Sequence, residues 1–598
     1  MTKIKGHNFH IPVMGIGFTI DTPVKVAHLG ISSVVPLVDD QLMEKMREFY
    51  CKKLSIPFDP ISSSNLDARC KRITAYLNLV EKMAVEKFEQ LKNSITEKGS
   101  EFSKYIALLP DFATLKKEYL SLPSGADIKE WASKNLVMGS IDVNVMTKLD
   151  REHFSKGEKL SFEYNDAHQA LKGYAESNLS SGLVLSAGMN PSLYAYVEQF
   201  EDFYPTAEGK LKKRIILKVS DYRSALIQGK YFAKKGIWVS EFRIESSINC
   251  GGHAFVSNGD LMGLILEDFK KNKAELRKEM FDLFTQALQA KNRPCPAEPL
   301  EMKITAQGGV GTANEQRFLT DYYELDSVGW GSPFMLCPEV TLVDDYTLKQ
   351  LCDAREEDLF LSNASPLGVY FNNMKGATKD VERDQNVKDG SPGFHCTKRF
   401  CEVNREFSTD PASKAECAAS KPYMKLKLAQ LEAKNLSPER YKKEFDFITE
   451  RSCICVGLGN SALHVNNVDP KDLESTISVC PGPNIAYFSK TVTLDEMVGH
   501  IYGRNDVVIR KDQPHMFIKE LDLYYIYLRN RILEITEETS KKEISNYKLF
   551  HKRLVEGIAF YKELFSNIDI KANYFKADLI SELDKIEAKL NSPELILA

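Results

Sequence analysis

Three short stretches of the chain combine residue types suited to chemistry. Cys250-Gly251-Gly252-His253 follows an apolar run that begins at Gly236-Ile237-Trp238-Val239. Its glycines would let a ligand lie against bare backbone, and its imidazole, with an ordinary pKa of about 6.5, is fitted to move a proton. Gln307-Gly308-Gly309-Val310-Gly311-Thr312 closes a second apolar run and opens a helical stretch. Glycines at such a point let backbone N–H groups approach an anion, and the helix N-terminus favours negative charge, so phosphate is the natural occupant. About twenty residues on, Gly329-Trp330-Gly331-Ser332-Pro333-Phe334 ends the next apolar run, and two consecutive strand-end loops gripping one phosphate is an arrangement that barrels use. Lys218, at the end of Arg214-Ile215-Ile216-Leu217-Lys218, would bring a cation to the same end of the fold.

These stretches need strands to carry them. Short apolar runs over 11–14, 31–37, 182–186, 214–219, 237–244, 302–306 and 327–330 each end in Gly or small polar residues, and helical spacing follows most of them. That alternation predicts an α/β fold, with a closed (β/α)8 TIM barrel or an open doubly wound sheet as its two forms. The glycine breaks all fall at the C-terminal ends of strands, where either form places its active site. Residues 1–40 and 180–345 are read as the barrel, and 41–179, rich in charge and helical spacing, as a mostly helical insertion. A Cys-containing, loop-rich extension follows over 346–510, and a helical region over 511–598. Its stretch Phe517-Ile518-Lys519-Glu520-Leu521 begins an apolar stripe for packing, on the barrel or in a homo-oligomer.

Composition narrows the function. In 598 residues, 79 basic and 83 acidic side chains leave a formal charge of −4, which gives no global field to attract nucleic acid or anionic lipid. No apolar run approaches the length of a membrane span, and the N-terminal stretch lacks a signal-peptide pattern, so a cytoplasmic protein without membrane partners is expected. Twelve cysteines in this setting read as reduced thiols or metal ligands rather than a disulfide frame.

The blocks at 214–255 and 302–335 resemble the nitronate monooxygenase (2-nitropropane dioxygenase) family of FMN-binding TIM barrels, to which the polyketide-type enoyl reductases are related. Cys250-Gly251-Gly252-His253 stands where that family has Ala-Gly-Gly-His, and Gln307-Gly308-Gly309-Val310 and Gly331-Ser332-Pro333-Phe334 stand at its phosphate loops. Gly15-Ile16-Gly17-Phe18 matches its first-strand Gly-Gly-Met loosely. The resemblance implies an FMN-dependent oxidoreductase, a monooxygenase or reductase of a small-molecule substrate, with oxygen or NAD(P)H as redox partner. It implies phosphate binding by Gly308, Gly309, Gly311, Gly329, Gly331 and Ser332, and contact with the flavin ring by Gly15, Gly17, Gly251 and Gly252. Lys218 would then favour reduced flavin, and His253 would transfer a proton. Asn249, where the family often has an acidic residue, and Ala254-Phe255, in place of a small residue and glycine, depart from the pattern.

The chain also resembles the synthase domain of glutamate synthase, an FMN barrel with an iron–sulfur cluster on a cysteine-rich segment after it. Cys396, Cys401, Cys417, Cys453 and Cys455 follow the barrel here. Thiolates hold iron–sulfur or zinc, although spacings of C-x4-C and C-x-C match no standard signature; His395 is a further candidate ligand, and buried unliganded thiols are the plainer reading. A barrel without flavin would bind a phosphorylated metabolite at the same glycine loops, and a non-catalytic scaffold would use the helical C-terminus for partners. Gly457-Leu458-Gly459-Asn460 is a further candidate anion loop.

Overall fold

The structure, a computed structural model, describes residues 5–95, 99–123, 127–246, 248–408, 410, 413–468, 476–536, 539–567 and 579–595. Eight parallel strands close into a barrel: β1 (Phe9–Ile11), β2 (Ser32–Pro36), β3 (Ile141–Val145), β4 (Ser181–Leu185), β5 (Lys213–Val219), β6 (Val239–Glu245), β7 (Lys303–Gln307) and β8 (Ser327–Gly329). Each strand pairs with its sequence neighbour, and β1 pairs with β8 through Phe9 opposite Val328. Of the two forms the alternation allows, the closed barrel is the one formed.

Six of the eight strands coincide with apolar runs read from the sequence, and β1 meets the run over 11–14 only at Ile11. The eighth, β3, falls inside 41–179, so that segment is not simply an insertion. Its helices Asp40–Lys53, Ala68–Asn93, Glu101–Leu108, Thr114–Leu120 and Ile128–Asn135 form an enlarged crossover from β2 to β3, and Asp166–Ala175 makes an ordinary crossover from β3 to β4. The reason is in its composition: Ile141-Asp142-Val143-Asn144-Val145 alternates apolar and polar residues and is buried throughout, unlike the continuous apolar run expected of a strand covered on both faces.

The polar members of that alternation point into the barrel. Period-two geometry assigns one set of residues from each strand to the interior. Val34, Val184 and Ile216 form a small apolar plug with Val13, each worth about 1.5–3 kcal/mol when fully buried. Beside it lies a buried polar layer in which Glu241 accepts from Arg243 Nε at 2.8 Å and Thr305 Oγ1 at 2.6 Å, while His10 Nδ1 meets Ser327 Oγ at 2.9 Å. One step further toward the strand C-termini, the same phase brings Asn144, Lys218, Glu245, Gln307 and Gly329 to the mouth.

The extension is built onto that mouth. Strands Leu359–Ser362 and Tyr370–Met374 form an antiparallel sheet with His253–Ala254, with Phe371 opposite His253. The helix Ile454–Val465 lies across the loop after β1, where Ile16 and Gly17 donate their N–H groups to the Leu458 carbonyl. In the C-terminal region the helix Met516–Leu533 packs on the chain's own barrel. Phe517 stacks on Tyr561 with centroids 5.2 Å apart, and Glu520 accepts from Ser246 Oγ at 2.6 Å and Met262 N at 2.9 Å. Among the described residues, no helix is long and apolar enough to cross a membrane.

Candidate active site

A largely apolar cleft opens at the C-terminal ends of the barrel strands, lined by loops from the barrel and by the extension. Gly308 and Gly309, after β7, and Gly331 and Ser332, after β8, all line it. Among the described residues, none of the four N–H groups donates to a backbone or side-chain acceptor of the protein. Gly309 has φ +79°, and a Cβ there would stand 1.7 Å from Asn249 Nδ2; at Gly331 an added Cβ would meet only Pro12. Ser332 Oγ accepts from Gly482 N at 2.6 Å, leaving its O–H to donate. Two adjacent loops with free donors and no side-chain bulk are a cradle for a phosphate.

Gly15, with φ +56°, and Gly251, Gly252 and Gly329 also line the cleft. Gly251 is small because the segment 480–482 crosses it, whereas Gly252, at φ +79°, has open space where a Cβ would stand. A Cβ on Gly251 would lie 2.6 Å from the Cys480 carbonyl oxygen, which also accepts from Gly252 N at 3.1 Å. Two glycines expected at the cofactor lie elsewhere. A Cβ on Gly17 would stand 2.7 Å from the Gly459 carbonyl oxygen, so that glycine permits the helix 454–465 to approach. Gly311 faces Gln513, gives its N–H to Glu315 Oε2 at 2.8 Å and its carbonyl to His500. Gly457-Leu458-Gly459-Asn460 is helix interior rather than an anion loop, and Gly457 packs against Ser478.

Lys218 reaches the cleft as an ion pair, with Nζ 2.7 Å from Glu245 Oε2. Glu245 Oε1 accepts from Gln307 Nε2 at 2.7 Å and from Cys250 Sγ at 3.2 Å. Burial, and then the Glu245 carboxylate, push the Cys250 thiol well above its usual range, so it stays protonated. Asn249 Oδ1, of a residue lining the cleft, is buried without a hydrogen-bond partner, which marks an acceptor for a ligand's donor; Gln307 Oε1 is turned toward His10 instead.

His253 lines the cleft, with Nε2 2.7 Å from Ser365 Oγ of the extension. Burial, then the nearby charges of Lys148 and Lys218, push its pKa down to about 4. The imidazole is therefore neutral at physiological pH, available to accept a proton and not charged to give one. Phe255, which also lines the cleft, carries the Lys148 ammonium 3.7 Å above its ring.

All twelve cysteines are free. Cys401, Cys417, Cys453 and Cys455 are buried at 3–4% exposure and Cys396 is half-buried. Three separate segments bring these five together: Cys396 lies against Cys417, and Cys455 against both Cys401 and Cys453. His395 is exposed instead. Among the described residues, no group of three or more His, Cys, Asp or Glu side chains is arranged to hold a metal ion as it stands.

Glu245, Ser365 and the segment 480–484 are parts of the site that sequence reasoning missed. Glu245 ends β6 in the interior phase, so strand-end position was a usable signal. Nothing local in the sequence marks Ser365 or Asn484, whose Nδ2 donates to the Val310 carbonyl at 2.8 Å.

No protein-family model and no curated protein matches the sequence. Among solved structures, the chain is similar to FabK from Thermotoga maritima, with 11% identity, 83% of this chain and 93% of that chain covered, and a TM-score of 0.34. It is similar to the enoyl reductase domain of MlnA from Bacillus amyloliquefaciens at 14% identity, covering 68% and 88%, with a TM-score of 0.31. A nitroalkane oxidase from Streptomyces ansochromogenes is 8% identical, with 83% and 95% covered and a TM-score of 0.34. These likenesses are distant and are likenesses of fold alone.

Proposed function

We propose that the chain is a cytoplasmic FMN-dependent oxidoreductase of the nitronate monooxygenase and enoyl reductase type, acting on a small organic substrate. One observation carries this reading: four unengaged N–H groups on two consecutive strand-end loops share an apolar cleft with His253. The residues fit the cofactor. Gly308, Gly309, Gly331 and Ser332 would hold the phosphate, Gly15, Gly251 and Gly252 would let the ring lie against backbone, and Asn249 Oδ1 would accept from its polar edge. Bound there, FMN would supply the hydride or electron transfer itself.

The protein's own part is placement and proton handling. Lys218 brings a cation that Glu245 holds in position and partly neutralises, so the pair tunes negative charge in the cleft. Neutral His253, oriented through Nε2 by Ser365, would take a proton from the substrate at Nδ1 in the tautomer whose Nε2–H donates to the serine. The extension supplies part of the cleft's wall, through Leu367, Phe371 and Leu458 among others. Oxygen as reoxidant would make the enzyme nitronate-type, and NAD(P)H as reductant would make it reductase-type.

The test is a visible spectrum followed by one variant. The purified protein, or the protein titrated with FMN, is expected to show bound flavin absorbing near about 450 nm. His253→Ala is expected to keep that spectrum and lose turnover of nitroalkanes or enoyl thioesters. A protein that takes up no flavin refutes the reading, and full turnover in His253→Ala removes the proton-transfer role.

A further inference from the structure

Cys396 and Cys417, 21 positions apart, lie against each other in the extension, and the backbone holds them there. Phe394 N donates to the Ala419 carbonyl at 2.9 Å and Lys421 N to the Phe394 carbonyl at 3.0 Å, while Asn404 and Glu416 exchange both of their hydrogen bonds at 2.8 and 3.0 Å. These two bridges flank the thiols, so the pair meets in the folded chain without a loop having to close. The two sulfurs are not equivalent. Cys396 is half-buried, between exposed His395 and Thr397, whereas Cys417 is 3% exposed. The Cys417 thiol and the Arg399 amide both donate to Cys396, and donors directed at a sulfur favour its thiolate. Arg399 presents that amide from φ +66°, a left-handed conformation disfavoured for a residue with a side chain. A reachable sulfur favoured as thiolate, beside a buried partner thiol, is the arrangement of redox-active cysteines.

Beside the pair lies a cavity of about 290 Å³, lined by Arg399 and Glu402 after Cys396, by Lys414 and Ala415 before Cys417, and by residues 150–154. Its walls carry both signs of charge, with Arg151, Arg399, Arg405 and Lys414 alongside Asp150, Glu152 and Glu402. Arg151 is engaged by Asp166 at 3.1 Å, and Arg405 by Glu152. Among the described residues Lys414 makes no ion pair, and Arg399 pairs with Glu402 alone, at 3.7 Å. Cations with charge to offer, next to a carboxylate, suit a small zwitterion that carries carboxylates and an ammonium.

We propose that Cys396 and Cys417 form a redox-active dithiol pair whose substrate is a small zwitterionic peptide disulfide, of the glutathione type, bound in this cavity. The Cys396 thiolate attacks one sulfur of the disulfide, forming a mixed disulfide and expelling one peptide thiolate. The Cys417 sulfur then attacks that of Cys396, the mixed S–S bond breaks, and the second peptide thiolate leaves. The protons of the two protein thiols end on the two peptide thiols, so one peptide disulfide is reduced as one Cys396–Cys417 disulfide forms. The cavity shares no lining residue with the cleft, and the proposal does not require the flavin reading.

The test uses the full chain, reduced, freed of reductant and incubated with excess oxidised glutathione. Expected are the loss of about two alkylatable thiols, the release of about two glutathione thiols per chain, and a disulfide-linked peptide pair containing Cys396 and Cys417 by mass spectrometry. Cys417→Ser is expected to stall with glutathione held on Cys396. Hydroxyethyl disulfide, which carries no charge, should react at least about tenfold more slowly, and Lys414→Met should slow the glutathione reaction alone by about threefold or more. Undiminished alkylation of both cysteines in the parent chain, or a disulfide that leaves out Cys396, overturns the pair without recourse to any variant. Equal rates with the two disulfides overturn the cavity as the binding site.

Discussion

Gly309→Ala probes the phosphate cradle directly. At φ +79° an alanine is strained by about 1–2 kcal/mol, and its Cβ would fall 1.7 Å from Asn249 Nδ2. Asn249 must then move, and its hydrogen bond to the Met516 carbonyl at 3.0 Å is lost at a cost of about 1 kcal/mol. The free chain can relieve both by shifting the loop, but gripping a phosphate requires the loop back in place with its N–H aimed inward. A contribution of about 1.5–3 kcal/mol from a hydrogen bond to a charged group is also at risk. Because the loop relaxes in part, we expect about 2–4 kcal/mol of lost binding, or roughly 30- to 1000-fold in Kd for FMN. Quenching of flavin fluorescence on titrating apoprotein measures it, with unfolding of the apoprotein followed separately. Gly311→Ala is the control: it meets only the flexible Gln513 side chain, outside the cleft, and should change Kd less than about threefold. Equal affinity in Gly309→Ala and the parent protein, with the fold intact, would refute the cradle.

The ion pair predicts paired shifts in flavin potential: Lys218→Met should lower it and Glu245→Gln raise it, each by about 30 mV or more, and a potentiometric titration that finds neither moved rejects the pair's role. Burial raises the Glu520 pKa to about 7. Its folded carboxyl holds a proton that the unfolded one releases above about 4.5, so this stabilising contribution is present below about 4.5 and lost as pH rises through about 7. Glu520→Gln should therefore gain about 3 kcal/mol relative to the parent at pH 8 but only about 1 kcal/mol at pH 5; denaturant unfolding giving the same difference at both pH values would refute this. Burial lowers His7, His10 and His515 to about 3 and His253 to about 4. These folded imidazoles resist protonation that the unfolded chain accepts, so their stabilising contribution is complete above about pH 6.5 and falls as the pH drops toward 4. Circular dichroism should show acid unfolding in that window, and a chain equally stable at pH 6.5 and pH 4 would contradict it.

The barrel was legible because most of its strands are short apolar runs closed by glycine or small polar residues; six of the eight were located that way, and β1 was met only at its end. The glycines after β7 and β8 were legible too, since positions without side chains at strand C-termini have few other uses. Gly17 and Gly311 show where that logic stops. A glycine admits a packed helix or a neighbouring side chain as readily as a ligand, and local sequence does not tell these apart. β3 was hidden because its alternate residues serve the polar interior. Glu245 and Ser365 act through partners reached only by folding, one through Lys218 and Gln307 on the two neighbouring strands and one 112 positions from His253. The convergence of the cysteines was likewise invisible, because their spacing along the chain follows no regular motif.

His253 is held by a strand and a serine that lie after the barrel in the chain, and the cleft is closed by residues up to Asn484. During synthesis the eight strands emerge complete at Gly329, but the pocket still lacks part of its wall for roughly 150 more residues, or about 8–30 s of translation. Truncations that spare every strand would therefore yield a barrel with an open, water-filled mouth, and loading of any prosthetic group is tied to the arrival of the C-terminal half.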